Sequence, residues 1–272
     1  MNKAIQRVLK QMIERYRCGD HLVVLLDYDG ALTEFASRPW QATLPAVTRC
    51  QLDSLAELPR VTVGVIGGRE LCVLEGMVGL PELYYAGSDG LELDYHGRTV
   101  RHPLAEQGRQ LVTEVAGELE RVLRDFPAAW LERKRFGLAV HYRELDRTLT
   151  AVLRNRVGEE LAPWRSRLHV LIGEQVIEIV PALGWTRGTA VEFVIERLLP
   201  ERALALFVGD EANDHEAMWS TRVRGGISIG VGRTQPTVAQ FELRDTGEVL
   251  DLLHELCLGV KAAILPAGGL AQ

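Results

Sequence analysis

Residues 22–35 read LVVLLDYDGALTEF. The first six, LVVLLD, form a continuous apolar run that ends on an acid. A short aliphatic run without polar alternation suits a strand buried on both faces, as in the middle of a parallel sheet. Gly30 permits a sharp turn just past it, so Asp27 and Asp29 are expected at the carboxyl end of that strand. Two further runs repeat the pattern: VTVGVI at 61–66, followed by Gly67-Gly68, and ALALFV at 203–208, followed by Gly209-Asp210. Helical periodicity occurs near 46–57, 69–78, 187–199 and 213–219. Strand–helix alternation of this kind predicts an α/β fold with a parallel sheet, in which ligands bind beyond the carboxyl ends of the strands. The acids and paired glycines fall at those ends.

The middle of the chain reads differently. A long amphipathic pattern at 104–126 precedes strand-like runs at 129–134 and 137–143, broken at Phe136-Gly137. A helical stretch near 146–163 precedes runs at 167–172 and 175–180, broken at Gly173-Glu174. Helix–hairpin–helix–hairpin predicts an α+β unit inserted into the α/β core. With Pro103 and the segment 181–184 as linkers, the core is expected at 1–103 and 185–272 and the insert at 104–184. Near the N-terminus, Ile5, Val8, Leu9, Met12, Ile13 and Tyr16 follow helical spacing and predict a helix packed on the surface of the core. The tail from Leu265, LPAGGLAQ, is small and glycine-rich and is expected to fray.

The 272 residues include 31 Lys plus Arg against 37 Asp plus Glu, a net charge of −6. That balance argues against a general binder of nucleic acid or anionic membrane. The 47% apolar and 25% charged content is that of a globular protein. Cys18, Cys50, Cys72 and Cys257 are widely spaced with no CxxC pair, which excludes a zinc ribbon and favours a reducing compartment. No apolar stretch approaches the roughly 18–20 residues of a membrane span. These features predict a soluble, cytoplasmic protein.

Asp27 and Asp29 in LLDYDGALTEF are matched by Asp210 and Asp214 in FVGDEANDHEAM, again just after a buried run. Taken singly, DxDG or GDxxxD is an ordinary loop turn or helix cap. Together, four carboxylates at the ends of neighbouring strands would repel one another strongly. A divalent cation relieves that repulsion, and a few hard oxygen ligands suit Mg²⁺. One carboxylate could then attack a phosphoryl group while a second, two residues on, moves the proton of the leaving oxygen. The histidines show no HxH or HExxH spacing, and neither a P-loop nor a GxSxG elbow is present.

With these segments in place, the sequence resembles the haloacid dehalogenase superfamily and, more narrowly, the trehalose-6-phosphate phosphatase family. The resemblance runs from about Leu22 to Leu256. It rests on LLDYDGALTEF, VIGGRE (65–70), AGSDGLEL (86–93), LERKRFGLAVHYR (131–143), VIEIVPALGWTRGTAVEFV (176–194) and VGDEANDHEAM. It implies a Rossmann-like core with an inserted α+β cap. It also implies Asp27 as nucleophile and Asp29 as general acid and base. Mg²⁺ would be held by Asp27, Asp210 and the Asp29 carbonyl, with Asp214 in support. Gly67, Gly68 and Arg187 would bind phosphate, while Glu132, Lys134, Arg143 and Glu178 in the cap would meet sugar hydroxyls. The resemblance further implies a monomer acting on a small sugar phosphate, functionally paired with a sugar-phosphate synthase.

The chain departs from the family pattern at five places. Gly67 stands where the second motif has Ser or Thr, Arg187 where the third has Lys, Ala31 where Thr follows DxDG, and Asp89 where the Gly-x-His-Gly segment has His. Asn213 is similar to other sugar phosphatases of the superfamily. Two other readings therefore stay open: a phosphatase for another phosphorylated glycoside or sugar, and a weakly active module that binds a sugar phosphate. The paired glycines at 67–68 further predict an unusual backbone at Gly67, with positive φ or a close approach to the phosphate.

Overall fold

The computed structural model describes residues 2–36, 38–173, 175–198, 202–210, 214–232 and 238–265. Glu174, Asn213 and the tail beyond Leu265 lie outside the described residues. The chain divides into two compact units, Met1–Thr99 with Thr186–Gln272, and Val100–Trp185.

The larger unit is built on a sheet whose strands are β1 (His21–Asp27), β2 (Val61–Ile66), β3 (Tyr84–Gly87), β4 (Glu92–Tyr95) and β5 (Arg98–Arg101), then β10 (Ala203–Gly209), β11 (Ile227–Val231) and β12 (Phe241–Leu243). Their spatial order is β12-β11-β10-β1-β2-β3-β4-β5. The strands from β12 to β3 are parallel, whereas β4 turns back antiparallel on β3. The apolar runs that predicted strands at 22–27, 61–66 and 203–208 become the three central strands. β1 pairs with β10 on one side and β2 on the other, Leu26 lying opposite both Val208 and Val65. The chain winds outward from β1 in both directions, so the carboxyl end of β1 is the topological switch point where an α/β sheet opens a crevice.

Every residue from Leu22 to Leu26 is buried. Leu22, Val24 and Leu26 join the core under α1 (Lys3–Arg17), α2 (Ala46–Ala56) and α8 (Thr246–Ile264), while Val23 and Leu25 alternate to the other face. Ile5, Val8, Leu9, Met12 and Tyr16 of α1 are the buried stripe expected of an amphipathic surface helix. α3 (Leu71–Val78), α6 (Arg187–Phe193) and α7 (His215–Val223) complete the unit. The helix predicted over 187–199 gives way after Phe193 to wider turns at Val194–Leu198. Strands β3, β4, β5, β11 and β12, and helix α8, had no counterpart in the sequence reading.

The second unit pairs a four-stranded antiparallel sheet with two helices. Its order is β6 (Trp130–Lys134), β7 (Gly137–His141), β9 (Val176–Pro181), β8 (Leu168–Ile172). Helices α4 (Ala105–Leu123) and α5 (Arg147–Leu161) cover one face. Leu111, Val115 and Leu119 of α4 and Leu153 and Val157 of α5 share a core with Leu138, Val140, Ile177 and Ile179 of the sheet. Strand alternation turns Glu132, Lys134, Ala139, His141 and Glu178 to the opposite face.

Candidate active site

β1 ends on Asp27, whose side chain is buried at the switch point. The chain then turns at Asp29 and Gly30. Gly30 has φ +83°, and a side-chain carbon there would run into the Asp210 carboxylate, so only glycine lets the two loops approach. Asp210 follows β10, the neighbour of β1. Asp214 precedes α7, and its Oδ2 accepts the Asp210 N–H at 3.0 Å. Gly209 repeats the device, because a side-chain carbon there would collide with the Asp214 carboxylate. One oxygen each from Asp27, Asp210 and Asp214 lies within 4.8 Å of the others.

Two arginines enter this acidic cluster. Arg187, the first residue of α6, is buried. Its Nε donates to Asp89 Oδ1 at 2.6 Å, and its Nη1 donates to Asp214 Oδ1 at 2.8 Å and faces Asp27 Oδ1 at 3.5 Å. Arg69 grips Asp29 with two bonds, Nε to Oδ2 at 2.7 Å and Nη2 to Oδ1 at 2.6 Å. Its guanidinium also lies 5.3 Å from the centre of the Tyr28 ring. Burial, and after it the charge of Asp214, hold the Asp27 carboxyl well above the ordinary carboxylate value of 3.8, against the pull of Arg187. A buried carboxylate crowded by like charges is where a hard divalent cation has most to offset, and the three oxygens are the right donor type for one.

The loops after β2 and β3 are stitched together at the same edge. Gly67 donates its N–H to Ala86 O at 3.0 Å, Ser88 N–H donates to Arg69 O at 2.6 Å, and Asp89 N–H donates to Gly67 O at 3.0 Å. Gly67 is not among the positive-φ glycines, which corrects the expectation of a left-handed backbone there. A side-chain carbon at Gly67 would meet one neighbour, Asp27 Oδ1, at 3.3 Å. Its N–H, anticipated as a phosphate donor, is engaged by the neighbouring strand. Positive φ falls instead on Ser88 (+52°) and Asp89 (+57°). Gly68 lies beside Gly67 in the same loop.

Glu132, Ala139 and Glu178 lie side by side across β6, β7 and β9. Lys134 Nζ bonds Glu178 Oε1 at 2.9 Å, both side chains being largely buried. Glu132 Oε2 lies 2.7 Å from His141 Nε2, and the His141 ring stacks on Trp130 with centroids 4.1 Å apart. Gly137 and Ala139, the small residues in the middle of this face, are buried. Arg143 is exposed in the turn after β7, apart from that row.

Sequence reasoning passed over Arg69 as part of a quoted motif and treated Asp89 and Arg187 as separate departures. The signal available was electrostatic: clustered acids need cations, and Arg69 just past β2 and Arg187 at the start of α6 supply them.

A parallel sheet that opens at buried carboxylates and carries an α+β insertion defines the class. A haloacid dehalogenase-like hydrolase from Bacteroides thetaiotaomicron shares the fold with TM-score 0.61 and 15% identity, over 87% of this chain and 99% of that one. The C-terminal domain of C. albicans trehalose-6-phosphate phosphatase matches with TM-score 0.81 and 22% identity, over 92% of this chain and 96% of that one. In sequence, residues 25–246 match the trehalose-phosphatase family, and the chain belongs to it. A probable trehalose-phosphate phosphatase 9 of Oryza sativa subsp. japonica is 30% identical over 265 residues, 88% of this chain and 70% of that protein. A trehalose-phosphate phosphatase of Mycobacterium avium is 36% identical over 222 residues, 78% of this chain. The chain spans about half, 54%, of that mycobacterial relative.

Proposed function

We propose that this chain is a Mg²⁺-dependent phosphatase acting on a sugar phosphate, with trehalose 6-phosphate the leading substrate. The observation that carries the reading is the gathering of Asp27, Asp210 and Asp214 at the switch point of the sheet, with Arg187 among them. Mg²⁺, held by Asp27, Asp210 and the Asp29 carbonyl with Asp214 behind them, would neutralise the carboxylates and the phosphate oxygens. Asp27 attacks phosphorus and forms an aspartyl-phosphate, and the leaving sugar oxygen takes a proton from Asp29. Asp29 then accepts a proton from water, which attacks the same phosphorus and releases phosphate and free Asp27. Arg69 orients Asp29 for both transfers through its two-point grip. Arg187 supplies positive charge toward the phosphoryl oxygens, helped by Gly68 in the loop beside it.

The unit Val100–Trp185 is the natural reader of the sugar. Glu132, Lys134 and Glu178 would offer donors and acceptors from one sheet face, and Arg143 a guanidinium from the adjoining turn. With this reading goes a cytoplasmic monomer, functionally paired with a sugar-phosphate synthase. Among the described residues no helix is long and apolar enough to cross a membrane.

The test is phosphate release from a panel of sugar phosphates, with Mg²⁺, with Ca²⁺ and with excess chelator. Turnover of trehalose 6-phosphate above the other sugars, lost with chelator and poorly restored by Ca²⁺, is the expected result. Full activity in chelator, or none on any phosphomonoester, would contradict the reading.

A further inference from the structure

We infer that Asp89 is a positioning residue that fixes the plane of the Arg187 guanidinium, so that the two act as one unit in the proposed reaction. The inference rests on the phosphatase reading for its catalytic meaning and on geometry for its existence. Arg187 meets Asp214 and Asp27 through a single nitrogen, Nη1. One nitrogen fixes a distance but lets the planar group pivot. The 2.6 Å bond from Nε to Asp89 Oδ1 holds a second corner, and two held corners set the plane. The Arg187 and Asp89 side chains are 6% and 15% exposed, so the pair is shielded from water and the bond is strong.

The backbone is arranged for this contact. Ser88 and Asp89, at +52° and +57°, are consecutive non-glycine residues with left-handed φ, held in a tight turn, Ser88–Gly90. Strain of this kind persists only where the surroundings enforce it, and it gathers at functional sites. The enforcing bonds are the Ser88 N–H to Arg69 O and the Asp89 N–H to Gly67 O. The turn that presents Asp89 to Arg187 is thus anchored on the loop that carries Arg69, the partner of Asp29. From this one stitched edge Asp89 holds Arg187, and Arg69 holds Asp29, the proposed proton carrier. A fifth carboxylate in an already acidic site would be a liability if its role were charge alone. Its value is directional.

The experiment is a double-mutant cycle with Asp89→Asn, Arg187→Lys and the double variant, read in two ways. Asparagine keeps the shape and tolerates left-handed φ. Lysine keeps the charge but cannot hold two corners. The first readout is phosphate release with Mg²⁺. Asp89→Asn is expected to lower kcat about tenfold with KM within about threefold, because orientation is lost while binding charge is kept. Arg187→Lys is expected to lower kcat about 100-fold, and adding Asp89→Asn to it to cost nothing further, since the plane no longer exists to be set. The second readout is urea unfolding of all four proteins, where the two changes are expected to be non-additive by about fivefold or more in the unfolding equilibrium constant. An unchanged kcat in Asp89→Asn, or losses that multiply in the double variant, would overturn the positioning role. Lower stability with normal kcat would show a merely structural pair and also overturn it. A wild-type chain inactive on every phosphomonoester would sink the phosphatase reading and the positioning role with it, whereas additive unfolding effects in an active chain would refute the pair alone.

Discussion

At the scale of single residues, Gly67 separates a phosphatase that lacks one hydroxyl from one rebuilt around glycine. Its φ is ordinary, and the single atom near a new side-chain carbon is Asp27 Oδ1 at 3.3 Å. A displacement of a few tenths of an ångström accommodates it. The new side chain points into the site, where a hydroxyl can donate to a phosphoryl oxygen. Gly67→Ser is therefore expected to raise kcat/KM, by up to about 100-fold, the scale of one transition-state donor. Steady-state kinetics on trehalose 6-phosphate check this, and a fall in kcat/KM would show that Asp27 cannot yield. The neighbouring departures were each visible in the sequence as an odd residue, Asp89 in one segment and Arg187 in another. Their pairing was not, because 98 residues separate them and only the fold brings β3 and α6 to the same edge.

At the scale of elements, the polar face of the antiparallel sheet and the buried end of β1 make different predictions. Glu178 lies in the row with Glu132 and bonds Lys134. If that face reads sugar hydroxyls, Glu178→Ala should lower kcat/KM on trehalose 6-phosphate by about 10- to 100-fold and leave p-nitrophenyl phosphate nearly untouched. Equal losses on both substrates would assign the row to folding. At the amino end of β1, Asp20 joins three elements: it is buried, accepts from Arg15 of α1, and bonds Arg202 Nη2 ahead of β10 at 2.7 Å. Burial alone would raise its pKa, but Arg15 and Arg202 together bring it below the ordinary value of 3.8. A folded pKa below the unfolded one gives stability that is complete above that value and is lost as pH falls through the folded pKa. Asp20→Asn should therefore lower the urea midpoint at pH 7, by a stability change of about 1–2 kcal/mol given the exposed arginines, and the gap from wild type should close toward pH 2. A gap independent of pH would exclude the ion pair as its cause.

At the scale of the whole molecule, the parts of the fold legible in the sequence were those written as local pattern. The double-sided burial of β1, β2 and β10 demands unbroken aliphatic runs, and α1, α4 and α5 carry their apolar stripes openly. β3, β4 and β5 are four-residue strands on one side of the sheet, too short for any period to show, and β12 has three residues. The helix α8 was missed although Asp245 caps it and seven of its residues are buried, because its near-continuous apolar composition blurs the stripe. Of the candidate site, the acids were legible from strand ends and glycines, whereas the cations that organise them depend on tertiary approach. The central claim is that Asp27 is the nucleophile of a phosphatase whose machinery sits at the end of β1. The direct measurement is phosphate release from trehalose 6-phosphate by wild type and Asp27→Asn in Mg²⁺, alongside the melting temperature of each. The account predicts that the variant loses about 1,000-fold or more in kcat while melting no lower than wild type, since the change removes a crowded buried charge. Near-wild-type turnover by folded Asp27→Asn would contradict it.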